Sequence, residues 1–277
     1  MEVRYAPNDE SYQRLTTREL RSAFLVDSLF APGIVTMLYS DVDRVIVGSA
    51  VPTSVPLKIA ASKKEMAAEF FLERREVGII NIGGKGKIRA DGTEYRMEFR
   101  DLLYIGKGTR VIECMSDDSA KPTLFYFASF PSHSVFPIAH VRFDDAAKTS
   151  LGSSQNANVR TIRKYIHADG VKSSQLVMGL TELESGSVWN TMPPHTHQRR
   201  MEVYLYFGLD QDSFVVHLMG KPSETRTLIT RNQQAVISPP WSIHAAAGTK
   251  NYSFIWAMGG ENQEFSDMDA VSMKELL

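Results

Sequence analysis

Apolar residues in this chain come in short bursts. Runs of branched and aromatic side chains at 34–39, 44–47, 77–82, 102–105, 124–130, 175–180, 203–207, 214–219, 235–237 and 252–258 are separated by Gly, Pro, Asp and Ser. Many short apolar runs with turn signals between them predict strands, and so an all-β sandwich or barrel. Helical spacing is scarce. Thr16 and Glu19 form a capping-box pair with Leu15 and Leu20 as a staple, and Leu20, Phe24 and Leu25 follow on one apolar face. A second stretch, 62–71, reads as a helical turn or a connecting loop. Asp91-Gly92 is a hairpin turn signal. The Gly-rich segment 81–88 fits no phosphate-binding fingerprint, because Arg89 stands where the last glycine of G-x-G-x-x-G belongs. Hairpin turns account for its glycines.

The Ser/Asn/Gly-rich stretch 148–157 is the one good linker candidate, dividing the chain into 1–148 and 158–277. The halves look related. Residues 71–78 parallel 197–204, which sets Glu76 against Glu202, and residues 101–109 parallel 234–242. The expectation is a duplicated β-barrel. The first half has no histidine before His133, so it cannot supply the ligand set described below.

Composition narrows the class. At 277 residues the chain suits one large or two modest domains, and 31 basic against 32 acidic residues leave a net charge of −1. No basic stripe points to nucleic acid and no apolar run approaches the ~20 residues that span a bilayer. The N-terminal ten residues lack the apolar core of a secretion signal, so a cytoplasmic protein is expected. Cys114, the single cysteine, excludes an intramolecular disulfide and reads as a small apolar strand residue.

Candidate chemistry lies in the second half. His195 and His197, at i and i+2, point to one face of an extended strand. Glu202 lies five residues beyond His197, the wrong parity for one unbroken strand, so a turn or bulge near Arg199 must bring it round. His244 follows 42 residues after Glu202, behind the turn residues Pro239-Pro240. Three imidazoles and a carboxylate make a site for a divalent transition metal. His133, His140, His167 and His217 read as ordinary core or surface residues. If Glu202 faces the metal, Tyr204 and Tyr206 share its face and suit a polyhydroxylated ligand, or fill a core. Arg199 and Arg200 border the ligands and can grip an anionic group or sit in a solvated turn. Lys164 belongs to a further basic cluster, 160–165. A metal with open positions polarises a carbonyl and stabilises an enediolate, as an aldose–ketose isomerisation requires; iron in the same cage activates dioxygen instead. The ligands alone do not choose.

His195-x-His197-x4-Glu202 with a later lone His244 resembles the two motifs of the cupin superfamily. Gly186 stands further upstream than that superfamily's glycine, and Pro239-Pro240 replaces Pro-x-Gly. A closer resemblance rests on 194–204, 234–244, 254–263 and 70–76, which are similar to the 5-keto-4-deoxyuronate isomerase family; it runs from about Leu20 to the C-terminus. Gln198 departs from it, where an acidic residue is expected. The resemblance implies a bicupin of double-stranded β-helix (jelly-roll) barrels with a few short helices and a degenerate N-terminal barrel. It implies one zinc per subunit on His195, His197, Glu202 and His244, and a homohexamer. The implied reaction, in pectin and uronate breakdown, converts 5-dehydro-4-deoxy-D-glucuronate to 3-deoxy-D-glycero-2,5-hexodiulosonate. Glu261, Lys164 and Glu184 are unranked candidates for the proton-transfer base, beside a metal-bound hydroxide. Arg199, Tyr204 and Tyr206 are candidates for holding the acidic sugar, whose carboxylate is expected to meet an arginine or lysine of 199–200 or of the cluster 160–165. The alternatives are 5-deoxyglucuronate isomerase of inositol catabolism, a metal-dependent cupin dioxygenase and a non-catalytic sugar-binding cupin.

Overall fold

The computed structural model describes residues Met1–Leu277. It resolves into two compact units, Met1–Arg4 with Ser28–Ala146 and Tyr165–Val177, and Tyr5–Asp27 with Ala147–Lys164 and Met178–Leu277. None of its helices is long and apolar enough to cross a membrane.

Each unit pairs a seven-stranded sheet with a four-stranded one. At the centre of the larger sheet of the first unit, Ile46–Ala50, Phe125–Pro131, Arg75–Asn81 and Leu102–Ile105 lie side by side. The second unit has Val177–Leu183, Ser253–Gly260, Arg200–Phe207 and Gln234–Ser238 in the corresponding places. In both, the spatial order takes the first, fourth, second and third of the four in chain order. Repetition of that order makes the protein a duplicated jelly-roll.

Alternation along the strands builds the first unit's core. Val77, Ile79, Leu103, Ile105, Phe125 and Phe127 from the larger sheet pack with Ile88, Ile112 and Cys114 from the smaller one. Burial there pushes the Cys114 thiol up, as expected for an inert packing residue. Asp91-Gly92 closes a two-residue hairpin between Gly86–Ala90 and Thr93–Met97; φ values of 43° and 89° are those of a type I′ turn.

Three readings need correction. The parallel that set Glu76 against Glu202 is out by one position. Val77 pairs with Ile105 as Glu202 pairs with Ser238, and both Val77 and Glu202 point between their sheets. Glu76 faces the other way and is fully buried, accepting the Tyr104 hydroxyl at 2.7 Å and the backbone N–H groups of Ser174, Gln175 and Leu176 at 2.7–2.8 Å. A slip of one residue exchanges the two faces of a strand. Apolar Val77 thus stands where the second unit has its carboxylate.

The Ser-rich stretch is not simply a linker. Ala147–Leu151 is a strand antiparallel to Arg160–Ile166. All five of its residues are exposed, so no apolar alternation announced it. The lead-in, placed in 1–148 by the sequence, packs with the second unit. Thr17–Phe24 is a helix with the complete Thr16–Glu19 capping box, and it buries Leu20 and Phe24. It runs into Leu25–Val26, which pairs with Val236 and Ala235 at the edge of that unit's larger sheet. The 62–71 stretch contains one helical turn, Lys63–Met66, closed by a Ser62–Glu65 capping box.

Candidate metal centre

The four residues marked out by spacing meet in space. His195 lies on a two-residue strand paired with Asp269–Ala270. The chain turns at Gln198-Arg199, where the Arg200 N–H donates to the His197 carbonyl at 3.2 Å. That turn corrects the parity and delivers Glu202 from Arg200–Phe207 to the same point. His244 arrives from the turn after Pro239-Pro240, where the Ser242 N–H donates to the Pro239 carbonyl at 2.9 Å.

The donor atoms form a ring of short edges. His195 Nε2 lies 3.0 Å from His197 Nε2 and 3.1 Å from His244 Nε2. Glu202 Oε2 lies 3.0 Å from His244 Nε2 and 3.4 Å from His197 Nε2, and all four atoms fall within 4.8 Å of one another. Donors sharing one ion at about 2.1 Å stand roughly 3.0–3.4 Å apart at angles between 90° and tetrahedral, so the edges fit a divalent transition metal.

Protonation agrees with that. Burial, with His244 and His197 close by, pushes the His195 imidazole down to about 2, so it is neutral and a lone-pair donor near neutral pH. Burial alone would raise the Glu202 carboxyl, but His244 and His197 outweigh it and hold the group below the usual range. His197 Nδ1 lies 2.8 Å from the Asp267 carbonyl, and His244 Nδ1 lies 3.4 Å from the Ser242 carbonyl. A backbone carbonyl can only accept, so the His197 proton sits on Nδ1 and Nε2 is left to bind an ion.

Asp267 belongs to a strap, residues 262–269, held from the turn below. Buried Arg200 donates to the carbonyls of Glu264, Phe265 (3.4 Å) and Asp267 (3.3 Å). Arg199 makes a two-pronged ion pair with the Asp267 carboxylate and reaches Asp269 at 3.2 Å. Asn262 Nδ2 also donates to Asp267, at 2.6 Å. Arg199 itself is absent from the wall of the cavity beside the ligands.

That cavity has a volume of about 300 Å3. His195, His197 and Glu202 line it, with Thr191, Tyr204, Arg160 and Arg200 as further polar groups and Ile162, Phe254, Trp256, Met258, Phe265 and Met268 as apolar wall. Tyr204 and Tyr206 do share the face of Glu202, but at different depths. The Tyr204 hydroxyl meets Thr191 Oγ1 at 3.1 Å on the cavity wall, whereas the Tyr206 hydroxyl meets Nδ1 of fully buried His217 at 2.6 Å and is not part of the wall. None of the three candidate bases lines the cavity: Glu261 and Glu184 are exposed, and the Lys164 ammonium lies 4.8 Å from the centre of the Phe265 ring. Sequence reasoning missed Thr191, Trp256 and the Asp267 carbonyl, whereas Arg160 stood within the basic cluster 160–165 without being singled out from it.

Two jelly-roll barrels of repeated topology, one with three imidazoles and a carboxylate against a cavity, define a double-barrel cupin. Solved structures share the fold. An IolB-like protein from Salmonella typhimurium LT2 superposes with a TM-score of 0.71 over 90% of this chain and 96% of that one, at 12% identity. Oxalate decarboxylase from Lactobacillus farciminis does so with a TM-score of 0.57 over 83% and 80%, at 9% identity. The chain belongs to the KduI/IolB family, whose model matches residues 39–274. Its relatives include proteins named 4-deoxy-L-threo-5-hexosulose-uronate ketol-isomerase. That of Caldicellulosiruptor bescii is 54% identical over 276 residues, and that of Pectobacterium carotovorum 48% over 277, each alignment covering 100% of both chains.

Proposed function

We propose that this protein is an aldose–ketose isomerase that converts 5-dehydro-4-deoxy-D-glucuronate to 3-deoxy-D-glycero-2,5-hexodiulosonate, with His195, His197, Glu202 and His244 holding one zinc ion per subunit of a hexamer. A single observation carries the reaction: full-length relatives near 50% identity share one enzyme name; the four-donor cage beside a cavity of ligand size accords with it. Fold by itself would not choose it, because one cage serves several chemistries. When bound, the metal supplies Lewis-acid polarisation of the carbonyl that moves between C1 and C2.

The chain's own groups do the rest. Neutral His195 and tautomer-fixed His197 keep lone pairs aimed at the ion. Tyr204 and Thr191 present hydroxyls that match those of a sugar acid. Phe254, Trp256 and Met258 exclude water from the reacting carbons and strengthen every polar contact inside.

The test is turnover of enzymatically prepared 4-deoxy-5-keto-uronate by metal-stripped and zinc-restored protein, with 5-deoxyglucuronate as competing substrate and metal content and solution mass measured alongside. Conversion restored by zinc and selective for the first acid is expected. Preference for 5-deoxyglucuronate, or oxygen uptake without isomerisation, would replace this reading by another.

A further inference from the structure

Several cations lie near the cavity, and two of them, Arg160 and Arg200, are on its wall. Arg199 is paired with Asp267 and Asp269, and Arg163 with Glu182 at 3.4 Å. Arg200 gives both terminal nitrogens to three backbone carbonyls of the strap, which leaves its buried Nε alone without a partner. The Lys164 ammonium lies over the Phe265 ring. Arg160 differs. It opens the strand Arg160–Ile166 opposite Leu151, and Arg160, Ile162 and Leu151 all line the cavity. Its one hydrogen bond is from Nη1 to the Asn158 carbonyl at 2.9 Å, and no carboxylate pairs with it. The side chain is half-buried, burial depresses its guanidinium, and no carboxylate offsets that shift.

We propose that Arg160 binds the carboxylate of the acid sugar and so selects uronates over neutral sugars. The inference rests on the isomerase reading above. A carboxylate entering a cavity walled by Phe254, Trp256, Met258 and Phe265 loses its hydration and needs a charged partner. The guanidinium fork matches it bidentately, and the donors not used on Asn158 remain for that pairing. One end of the substrate is then fixed at Arg160 while the other meets the His195–His197–Glu202–His244 cage. The Thr191–Tyr204 hydroxyl pair shares the wall with both.

The test compares zinc-loaded wild type, Arg160→Met, Arg160→Lys and Lys164→Met on the acid substrate and on its neutral counterpart reduced to the C6 alcohol. Calorimetric binding of D-galacturonate is measured in parallel. A charge-assisted pair contributes roughly 10- to 150-fold, so kcat/KM on the acid should fall by that factor in Arg160→Met, chiefly through KM. The neutral substrate should be unaffected, and Arg160→Lys should recover part of the loss. Equal losses on both substrates, an unchanged acid preference, or loss of that preference in Lys164→Met instead would each overturn the assignment. If the wild type turns over neither substrate, the isomerase reading fails, and galacturonate binding still decides. Weaker binding by Arg160→Met upholds the carboxylate site; equal binding, or none by wild type, removes it.

Discussion

Replacing Arg200 by Met tests whether the strap orients a metal ligand. The Arg200 side chain is 1% exposed, and its guanidinium donates to the carbonyls of Glu264, Phe265 and Asp267. Two of the three contacts are long, at 3.3 and 3.4 Å, so about 1 kcal/mol each is a fair net value, and about 3 kcal/mol of stability should go with the substitution. Met fills most of the volume, which keeps cavity terms small. The second consequence concerns His197, whose Nδ1 uses the same Asp267 carbonyl that Arg200 holds. Loss of an outer partner of a ligating histidine typically weakens metal binding about 10- to 100-fold. At fixed excess zinc that removes about 1.4–2.7 kcal/mol of metal-linked stabilisation. Zinc affinity is read by competition with a chromophoric chelator, and stability by urea denaturation of stripped and loaded protein. The stripped variant should lose about 3 kcal/mol and the loaded one more. A zinc affinity within about threefold of wild type, below the range expected for such partners, would refute the coupling between strap and ligand even if stability fell as expected.

Other outcomes follow from the same geometry. His197→Ala should abolish both metal retention and turnover, since it removes one of four donors in a ring of 3.0–3.4 Å edges; full activity in that variant excludes a role for the ion. Tyr206→Phe leaves buried His217 Nδ1 without its 2.6 Å partner and should cost about 1–3 kcal/mol in a denaturant titration. A cost near zero would mean that another group takes the bond. His217 also predicts a pH dependence. Burial lowers its pKa from an ordinary 6.5 to about 3, so between those values the unfolded chain binds the extra proton and stability rises with pH. That contribution is complete above the unfolded value and lost as pH falls toward the folded one. Between about pH 4 and 6 the His217→Phe variant should show a slope shallower than wild type by up to about 1.4 kcal/mol per pH unit. Parallel slopes would show that His217 does not stay neutral in the folded chain.

The local chemistry of this chain was legible without coordinates. Thr16 and Glu19 cap a helix because a hydroxyl and a carboxylate three residues apart satisfy the first free N–H groups wherever the helix packs. Asp91-Gly92 closes a hairpin because few residues adopt two positive φ values in succession. His195, His197, Glu202 and His244 announced themselves because donors for one ion must be particular residue types, and parity required the turn found at Gln198-Arg199. What the tertiary structure decided is everything that depends on a distant neighbour. The strand Ala147–Leu151 carries no buried side chain, so only its pairing with Arg160–Ile166 defines it. Glu76 and Val77 are adjacent in sequence, and strand register alone put the valine between the sheets and the carboxylate against the N–H groups of 174–176. Arg160 and Arg163 read alike as members of one basic cluster; one lines the cavity and the other pairs with Glu182. Asp267 orients His197 through a backbone carbonyl, a group that every residue type carries and that no side-chain pattern can mark. Side-chain identity and spacing encode what a segment can do, whereas a partner's position is set by the packing of segments as far apart in the chain as Glu76 and Leu176.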